Sequence, residues 1–535
     1  MRFAAVIAVV AGLLHAASLA APWDRQPHGW LQLLALGVLA ALVRTCSRPV
    51  HGAVLGWLFA TSWLCATFWW LYVAMSTYAG LPGVISAMAV GGLGALLSVY
   101  YALATAAFVA WQPRNAWGAA ALFAALWLAA ELARGVWFTG FGWGGAGYAH
   151  IEGLARFARF VGAYGVAFLV ALITGLAAFW LVGVFEQTPG RPTSSGSPSG
   201  SLLHSEAERF AWRKQLWMPV VAILLAATMA WTPGSHSRSV GSLSVALLQG
   251  NIAQDVKFQP GTGIADALRW YGEQLSAATA SLVVAPETAI PLLPQDLPPG
   301  YWDGLRSLYA QRDQAALLGI PLRGAAGGYT NSALGLRAGT VADNPAYRYD
   351  KHHLVPFGEF IPPMFRWFTN MMNIPLGDFE RGAVGQPSFS WKGQLLAPNI
   401  CFEDLFGEEL AQRFTVAEKA PTIFVNISNI GWFGNTVAID QHLNISRMRA
   451  LEFERPFIRA TNTGDTVIID HKGRVTHALP RYTRGVLLGE VQGRSGVTPY
   501  AAWVSRFGLW PLWLLATLVV LAAVIARSRR GVDGP

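Results

Sequence analysis

Charge is scarce in this chain. Only 13% of its 535 residues are Asp, Glu, Lys or Arg, against roughly a quarter in soluble domains, while 53% are hydrophobic and mean hydropathy is +0.37. That balance excludes a wholly water-soluble protein and points to an integral membrane protein. Cysteine is nearly absent: Cys46 and Cys65 lie in or beside apolar runs and Cys401 has no neighbour, so a disulfide framework is excluded. There is no CxxC or Cys/His spacing for zinc, and His352, His353 and His442 form no ligand pattern and read as structural or solvated. A basic patch interleaved with aromatics is missing too, so the net charge of +9 does not imply a nucleic-acid partner. Lysines and arginines fall mostly in short loops between apolar runs, where they report topology.

What is present is hydrophobic length. Runs suited to crossing about 30 Å of hydrocarbon recur near 3–21, 29–44, 52–75, 82–111, 116–133, 161–185 and 216–232, and again at 507–526. The expectation is a polytopic helical bundle of about eight spans, seven before a long polar interval and one after it. Arg44, Arg48, Arg114, Arg191, Arg209, Arg213, Lys214, Arg527, Arg529 and Arg530 mark the inner loops and tail, which puts the polar interval on the outer face, the periplasm of a bacterium. The domains expected are 1–235, 240–500 and 505–535, with a flexible cytoplasmic loop at about 187–214 whose segment 189–201 has linker composition. The start of the chain, closing on Ser18-Leu19-Ala20-Ala21, also fits a cleaved signal peptide, but further membrane helices follow at once and a retained helix is expected. The spans hold few acids or bases, Glu131 being the main exception, and show no inverted repeat, which argues against a transporter.

Residues 242–500 change character. Short β-rich runs at 243–248, 281–285, 315–320 and 422–426 alternate with helical patterns at 265–278 and 440–454, which reads as an α/β domain. Chemistry-bearing residues follow the strand runs: Gln249 and Asn251, Glu287, Cys401, then Asn426 and Asn429. Acyl transfer by a thiol needs a thiolate, a proton acceptor and donors for the oxyanion, and Cys401, Glu287 and Lys351 are of the right types. From spacing alone Cys401 is equally a small buried hydrophobe at a strand end.

Longer motifs separate these readings. Tyr349-Asp350-Lys351-His352-His353-Leu354-Val355-Pro356-Phe357-Gly358-Glu359-Phe360 and Pro398-Asn399-Ile400-Cys401-Phe402-Glu403 resemble the apolipoprotein N-acyltransferases, membrane members of the nitrilase (carbon-nitrogen hydrolase) superfamily. Gln249-Gly250-Asn251-Ile252, Ala285-Pro286-Glu287-Thr288-Ala289, Ser428-Asn429-Ile430-Gly431-Trp432-Phe433-Gly434, Arg447 to Glu452 and Arg459 to Gly464 extend the resemblance over nearly the whole chain. It implies a nitrilase-like α-β-β-α sandwich inserted after the membrane helices. It also implies Cys401 as nucleophile, Glu287 as general base and Lys351 as the oxyanion-stabilising cation, with Glu359 assisting. Phe402 stands where many relatives have Tyr, leaving its backbone N–H for the oxyanion, and Glu403 is expected to orient the nucleophile loop. Phe258, where relatives often have Trp, together with Trp432 and Asn331, is expected to contact substrate, and 360–379 reads as an apolar arm at the bilayer surface. The segment Thr139 to Tyr148 is either one wall of a lipid cleft or an interfacial aromatic belt.

The activity implied is a two-step transfer at the outer face of the inner membrane, without cofactor or metal, by a monomer. An acyl chain passes from a phospholipid, the sn-1 chain of phosphatidylethanolamine, through a thioester on Cys401 to the amine of an S-diacylglyceryl cysteine on an apolipoprotein. The alternative is a membrane-tethered nitrilase or amidase-type hydrolase using the same residues.

Overall fold

In the computed structural model the described residues are 1–186, 223, 234–339, 346–361 and 379–532. The chain divides into two compact units, one of Met1–Trp69, Gly83–Gly234 and Leu509–Pro535, the other of Trp70–Pro82 and Ser235–Gly508. The expected linker 189–201, the apolar run 216–232 apart from Ile223, and nearly all of the arm 360–379 lie outside the described residues.

The first unit is helical. Among the described residues five helices are long and apolar enough to cross a membrane: Pro49–Phe68, Gly83–Trp111, Ala116–Thr139, Leu154–Gly183 and Trp510–Arg529. Arg2–Ala17 and Gly29–Arg44 are apolar but have 16 residues each, about 24 Å at 1.5 Å per residue, which is short of the hydrocarbon thickness. The described residues thus hold five long apolar helices and two shorter ones, with the apolar run 216–232 apart from Ile223 outside them, so the expectation of about eight spans is met in part. In the run 52–75 the helix stops at Phe68, and Trp70 beyond it packs, tilted, at 4.4 Å on Phe433 and donates its indole N–H to Gln441 at 3.1 Å. Hydropathy does not distinguish a side chain facing lipid from one packed on another segment.

The second unit is a sandwich of two mixed sheets. The first has the order β12-β1-β2-β3-β4-β5, formed by β1 (Arg238–Gln249), β2 (Leu282–Val284), β3 (Ala315–Arg323), β4 (Tyr329–Arg337), β5 (Tyr347–Asp350) and β12 (Gly485–Ser495). The second has the order β11-β10-β9-β8-β7-β6, formed by β6 (Phe389–Trp391), β7 (Gln394–Ile400), β8 (Ile423–Ser428), β9 (Phe457–Thr461), β10 (Val467–Ile469) and β11 (Val475–Ala478). The central pairs β1/β2, β2/β3, β7/β8 and β8/β9 are parallel.

Side-chain alternation splits each central strand between two cores. Leu243, Val245 and Leu247 of β1 meet Leu396, Ile400, Val425 and Ile458 of the other sheet. Ala246 and Leu248 turn instead to Leu268, Tyr271 and Leu275 of helix Ala265–Ala277 and to Leu305 and Tyr309 of helix Tyr301–Gln311. On the far side of the second sheet, Phe453 of helix Ala438–Phe453 packs at 4.9 Å on Phe414 and 5.4 Å on Phe424. The layers are helix, sheet, sheet, helix.

This topology gathers one end of both sheets. Glu287 follows β2, Cys401 follows β7 and Asn429 follows β8, all at the C-terminal ends of parallel strands. Antiparallel β4 and β5 return to that end, so Lys351 directly follows β5 and its N–H bonds Asn331 O at 2.8 Å. The turn carrying Glu287 runs against β3, held by Ala285 N to Leu317 O (2.9 Å) and Ile290 N to Gly319 O (3.1 Å). A Cβ on Gly319 would lie 2.4 Å from Pro286 O and 2.7 Å from Glu287 Cα. Gly319→Ala is therefore expected to displace the glutamate turn and to cost about 1–3 kcal/mol, read as a lower melting temperature.

Candidate active site

Cys401 opens the turn after β7 with φ +55°, a left-handed conformation uncommon outside glycine. The surroundings hold it there. Its carbonyl oxygen accepts from Asn426 Nδ2 at 2.8 Å and lies 3.2 Å from His442 Nε2. Behind it, His442 also bonds Asp404 at 3.0 Å, and Arg459 reaches His442 Nδ1 at 3.1 Å, which leaves the imidazole proton on Nε2. Burial, foremost, and the neighbouring Arg459 keep this histidine below its ordinary pKa despite Asp404, so it is neutral.

Glu403 joins the two chemistry-bearing loops. Its buried carboxylate accepts from Ile400 N (2.6 Å) in the cysteine segment, and from Tyr349 OH (2.8 Å), His352 N (2.7 Å) and His353 N (3.1 Å) around Lys351. Four donors on one carboxylate hold the thiol and the lysine in register.

Lys351 is fully buried, and its ammonium donates to Glu359 Oε1 at 2.8 Å and to Glu287 Oε1 at 3.3 Å. Asn331 Nδ2 donates to the same two oxygens, each at 2.7 Å, while Glu287 Oε2 accepts from Asn429 N at 2.9 Å and Glu359 Oε2 from Val355 N at 2.8 Å. Burial alone would lower Lys351, but the Glu287 and Glu359 carboxylates outweigh it and raise its pKa, so it carries its proton. Burial alone would raise Glu287, but Lys351, then the Asn331 amide and Lys257, hold it below the usual carboxylate range. Burial and the Glu287 charge push the Cys401 thiol up to about 12, with Lys351 pulling the other way. The lysine thus favours the thiolate, as its type suggests, but is outweighed. The resting site is a neutral thiol beside an ionised carboxylate, an arrangement able to pass the thiol proton to that carboxylate.

The other expected residues take distinct places. Phe402 is buried with its ring 5.7 Å from Lys351 Nζ and edge-on to His353 and Phe406. Phe258 and Trp432 are 47% and 40% exposed, and both sit on segments that touch Glu287, through Lys257 and Asn429. Tyr78 meets Trp432 edge-to-face at 5.8 Å. Asn331, expected to contact substrate, has its amide nitrogen committed to both carboxylates, leaving Oδ1 unpartnered. Sequence reasoning missed Lys257, the supporting roles of Asn426 and His442, and the Tyr78 segment. A single lysine or asparagine carries no periodic signal of burial.

A thiol, a carboxylate and a lysine at the strand ends of an α-β-β-α sandwich define a carbon-nitrogen hydrolase type of domain. The family model described as carbon-nitrogen hydrolase matches residues 244–500, and that of the apolipoprotein N-acyltransferase N-terminal domain matches 11–176. The chain is 55% identical to the apolipoprotein N-acyltransferase of Verminephrobacter eiseniae, over 94% of this chain and 92% of that protein. It is 42% identical to that of Ralstonia nicotianae, over 99% and 95%. A carbon-nitrogen hydrolase superfamily protein from Xanthomonas campestris, of known crystal structure, is 20% identical, with TM-score 0.36 over 50% of this chain and 96% of that one. The chain belongs to the apolipoprotein N-acyltransferase family and is a membrane-bound acyltransferase enzyme.

The Glu403 contacts generate a test. Glu403→Gln presents an amide to four donors, and the expected loss is about 1.5–3 kcal/mol of stability, read by thermal melting, with slower alkylation of Cys401 by iodoacetamide as the elbow loosens.

Proposed function

We propose that residues 240–500 form the periplasmic catalytic domain of a monomeric inner-membrane enzyme, anchored by membrane segments within 1–235 and 505–535. Its substrates are a phospholipid acyl donor, through the sn-1 chain of phosphatidylethanolamine, and the N-terminal S-diacylglyceryl cysteine of an apolipoprotein. The observation that carries this reading is the buried Lys351 ammonium shared by Glu287 and Glu359 beside the thiol of Cys401.

In the first step Glu287 takes the thiol proton as sulfur attacks the ester carbonyl. The tetrahedral oxyanion meets the Lys351 ammonium and the backbone N–H of Phe402, and collapse expels the lysophospholipid alkoxide, which receives the proton from Glu287. A thioester remains on Cys401. In the second step the lipoprotein amine attacks that thioester, Glu287 accepts the amine proton, and the departing thiolate recovers it. Ester becomes amide, which runs downhill without a nucleotide. Glu359 holds the second acceptor side of Lys351, so the ammonium stays aimed while Glu287 changes protonation state. The exposed rings of Phe258 and Trp432 suit acyl chains entering from lipid, where exclusion of water favours the amine over hydrolysis.

Mass spectrometry of the purified enzyme with phosphatidylethanolamine is expected to show one acyl increment on Cys401, discharged by a diacylglyceryl lipopeptide faster than by water. Cys401→Ala should show no increment, and Glu287→Gln should acylate about 10²–10⁴-fold more slowly. Cleavage of small amides with no lipid-derived increment would mark a hydrolase instead.

A further inference from the structure

A second lysine stands behind the base. Lys257, in the turn after β1, is 1% exposed, and its ammonium donates to the main-chain carbonyl of Glu287 at 3.1 Å, its one hydrogen-bond acceptor among the described residues. The Phe258 ring lies 5.6 Å away. The turn is built to stay in place. Asn462 bonds both the N–H and the carbonyl of Ile252 at 3.0 and 2.8 Å, and Asn429 Nδ2 bonds Gln254 Oε1 at 2.8 Å. The residue that carries the base's main-chain donor, Asn429, therefore also holds the turn that carries Lys257.

Burying an ammonium is costly unless an opposite charge compensates it. The groups facing Glu287 from the surrounding elements are Lys351 after β5, Cys401 after β7, Glu359 across the Asn331 amide of β4, and Lys257 after β1. Lys351 alone against Glu287 and Glu359, with the Glu403 carboxylate also acting on it, leaves a surplus of buried negative charge, and Lys257 reduces that surplus by one. Glu287 is the charged group acting on Lys257, since Asp255, two residues away, is exposed and acts on Tyr78.

We propose that Lys257 is a positioning residue of the acyl transfer, the second cation that keeps Glu287 ionised and ready to accept the thiol proton while Glu359 is also charged. The proposal rests on the reading of Glu287 as the base. Moving the proton from Cys401 to Glu287 conserves the total charge, so Lys257 offsets the same buried negative charge before and after the transfer. Without it, the surplus negative charge draws a proton onto a carboxylate, and Glu287 is occupied before the ester arrives. Burial pulls Lys257 down to about 8, with the Glu287 charge opposing, so the ammonium persists at neutral pH.

The sign follows. Acylation needs ionised Glu287, so its rate rises with pH through the carboxylate's pKa, and removing a nearby positive charge raises that pKa. The test is the rate of thioester formation on Cys401 in the full-length enzyme, with phosphatidylethanolamine in detergent micelles, read by intact mass across the acid limb. Lys257→Gln keeps a donor for the Glu287 carbonyl but no charge. Its acid limb is expected about one pH unit higher, with acylation about tenfold slower below the limb and within a few-fold of wild type on the plateau. Lys257→Arg should keep the wild-type limb. An unmoved limb in Lys257→Gln, or an equal shift in Lys257→Arg, overturns the proposal; if the glutamine variant does not fold, Lys257→Met reads the same charge loss. Glu287→Gln separates the two ideas. If it retains the wild-type limb, the reading of Glu287 as base fails; if it loses the limb while Lys257→Gln retains it, only the role of Lys257 fails.

Discussion

The site depends on one buried ammonium held by two carboxylates. Lys351 bonds Glu359 and Glu287 where neither lysine nor glutamate would remain charged alone, and each keeps its charge because the other is present. Two carboxylates this close repel one another. The Asn331 amide, which donates to both, and the backbone N–H groups of Asn429 and Val355 absorb the remaining lone pairs. The thiol beside them is disfavoured as an anion at rest, which lowers its reactivity toward oxidants.

Much of the second unit can be read as support for that interaction. The sandwich brings five strand ends to one edge, and the loops leaving them are tied to one another rather than left to solvent. Glu403 spans the cysteine and lysine loops, Asn426 and His442 hold the Cys401 carbonyl in a left-handed turn, and Gly319 lets the Glu287 turn lie against β3 without a clash. Each tie is an ordinary hydrogen bond or close contact. Together they fix positions that a reacting carbonyl must meet within a few tenths of an ångström.

The sequence was most legible where chemistry and pattern coincide. The apolar β-rich runs at 243–248, 315–320 and 422–426 lie within or across β1, β3 and β8, because a strand buried on both faces is apolar throughout. Glu287, Lys351, Glu359 and Cys401 stood out by motif and come together in space. The run 52–75 holds the apolar helix Pro49–Phe68 but overran its end, because Trp70 packs on Phe433 and Gln441 of the sandwich. Lys257 and His442 were unremarkable in sequence, since nothing local distinguishes a buried lysine or histidine from a solvated one.

By itself the sequence determined which residue types are available and that most of the chain's first third belongs in an apolar environment, because composition and periodicity act locally. Only the tertiary structure decided that Glu287 faces two lysines, that Asn331 serves carboxylates, and that Trp70–Pro82 belongs with the sandwich. Those outcomes depend on burial and on polar contacts between residues 28 to 371 positions apart, and both arise only when the sheets close on one another.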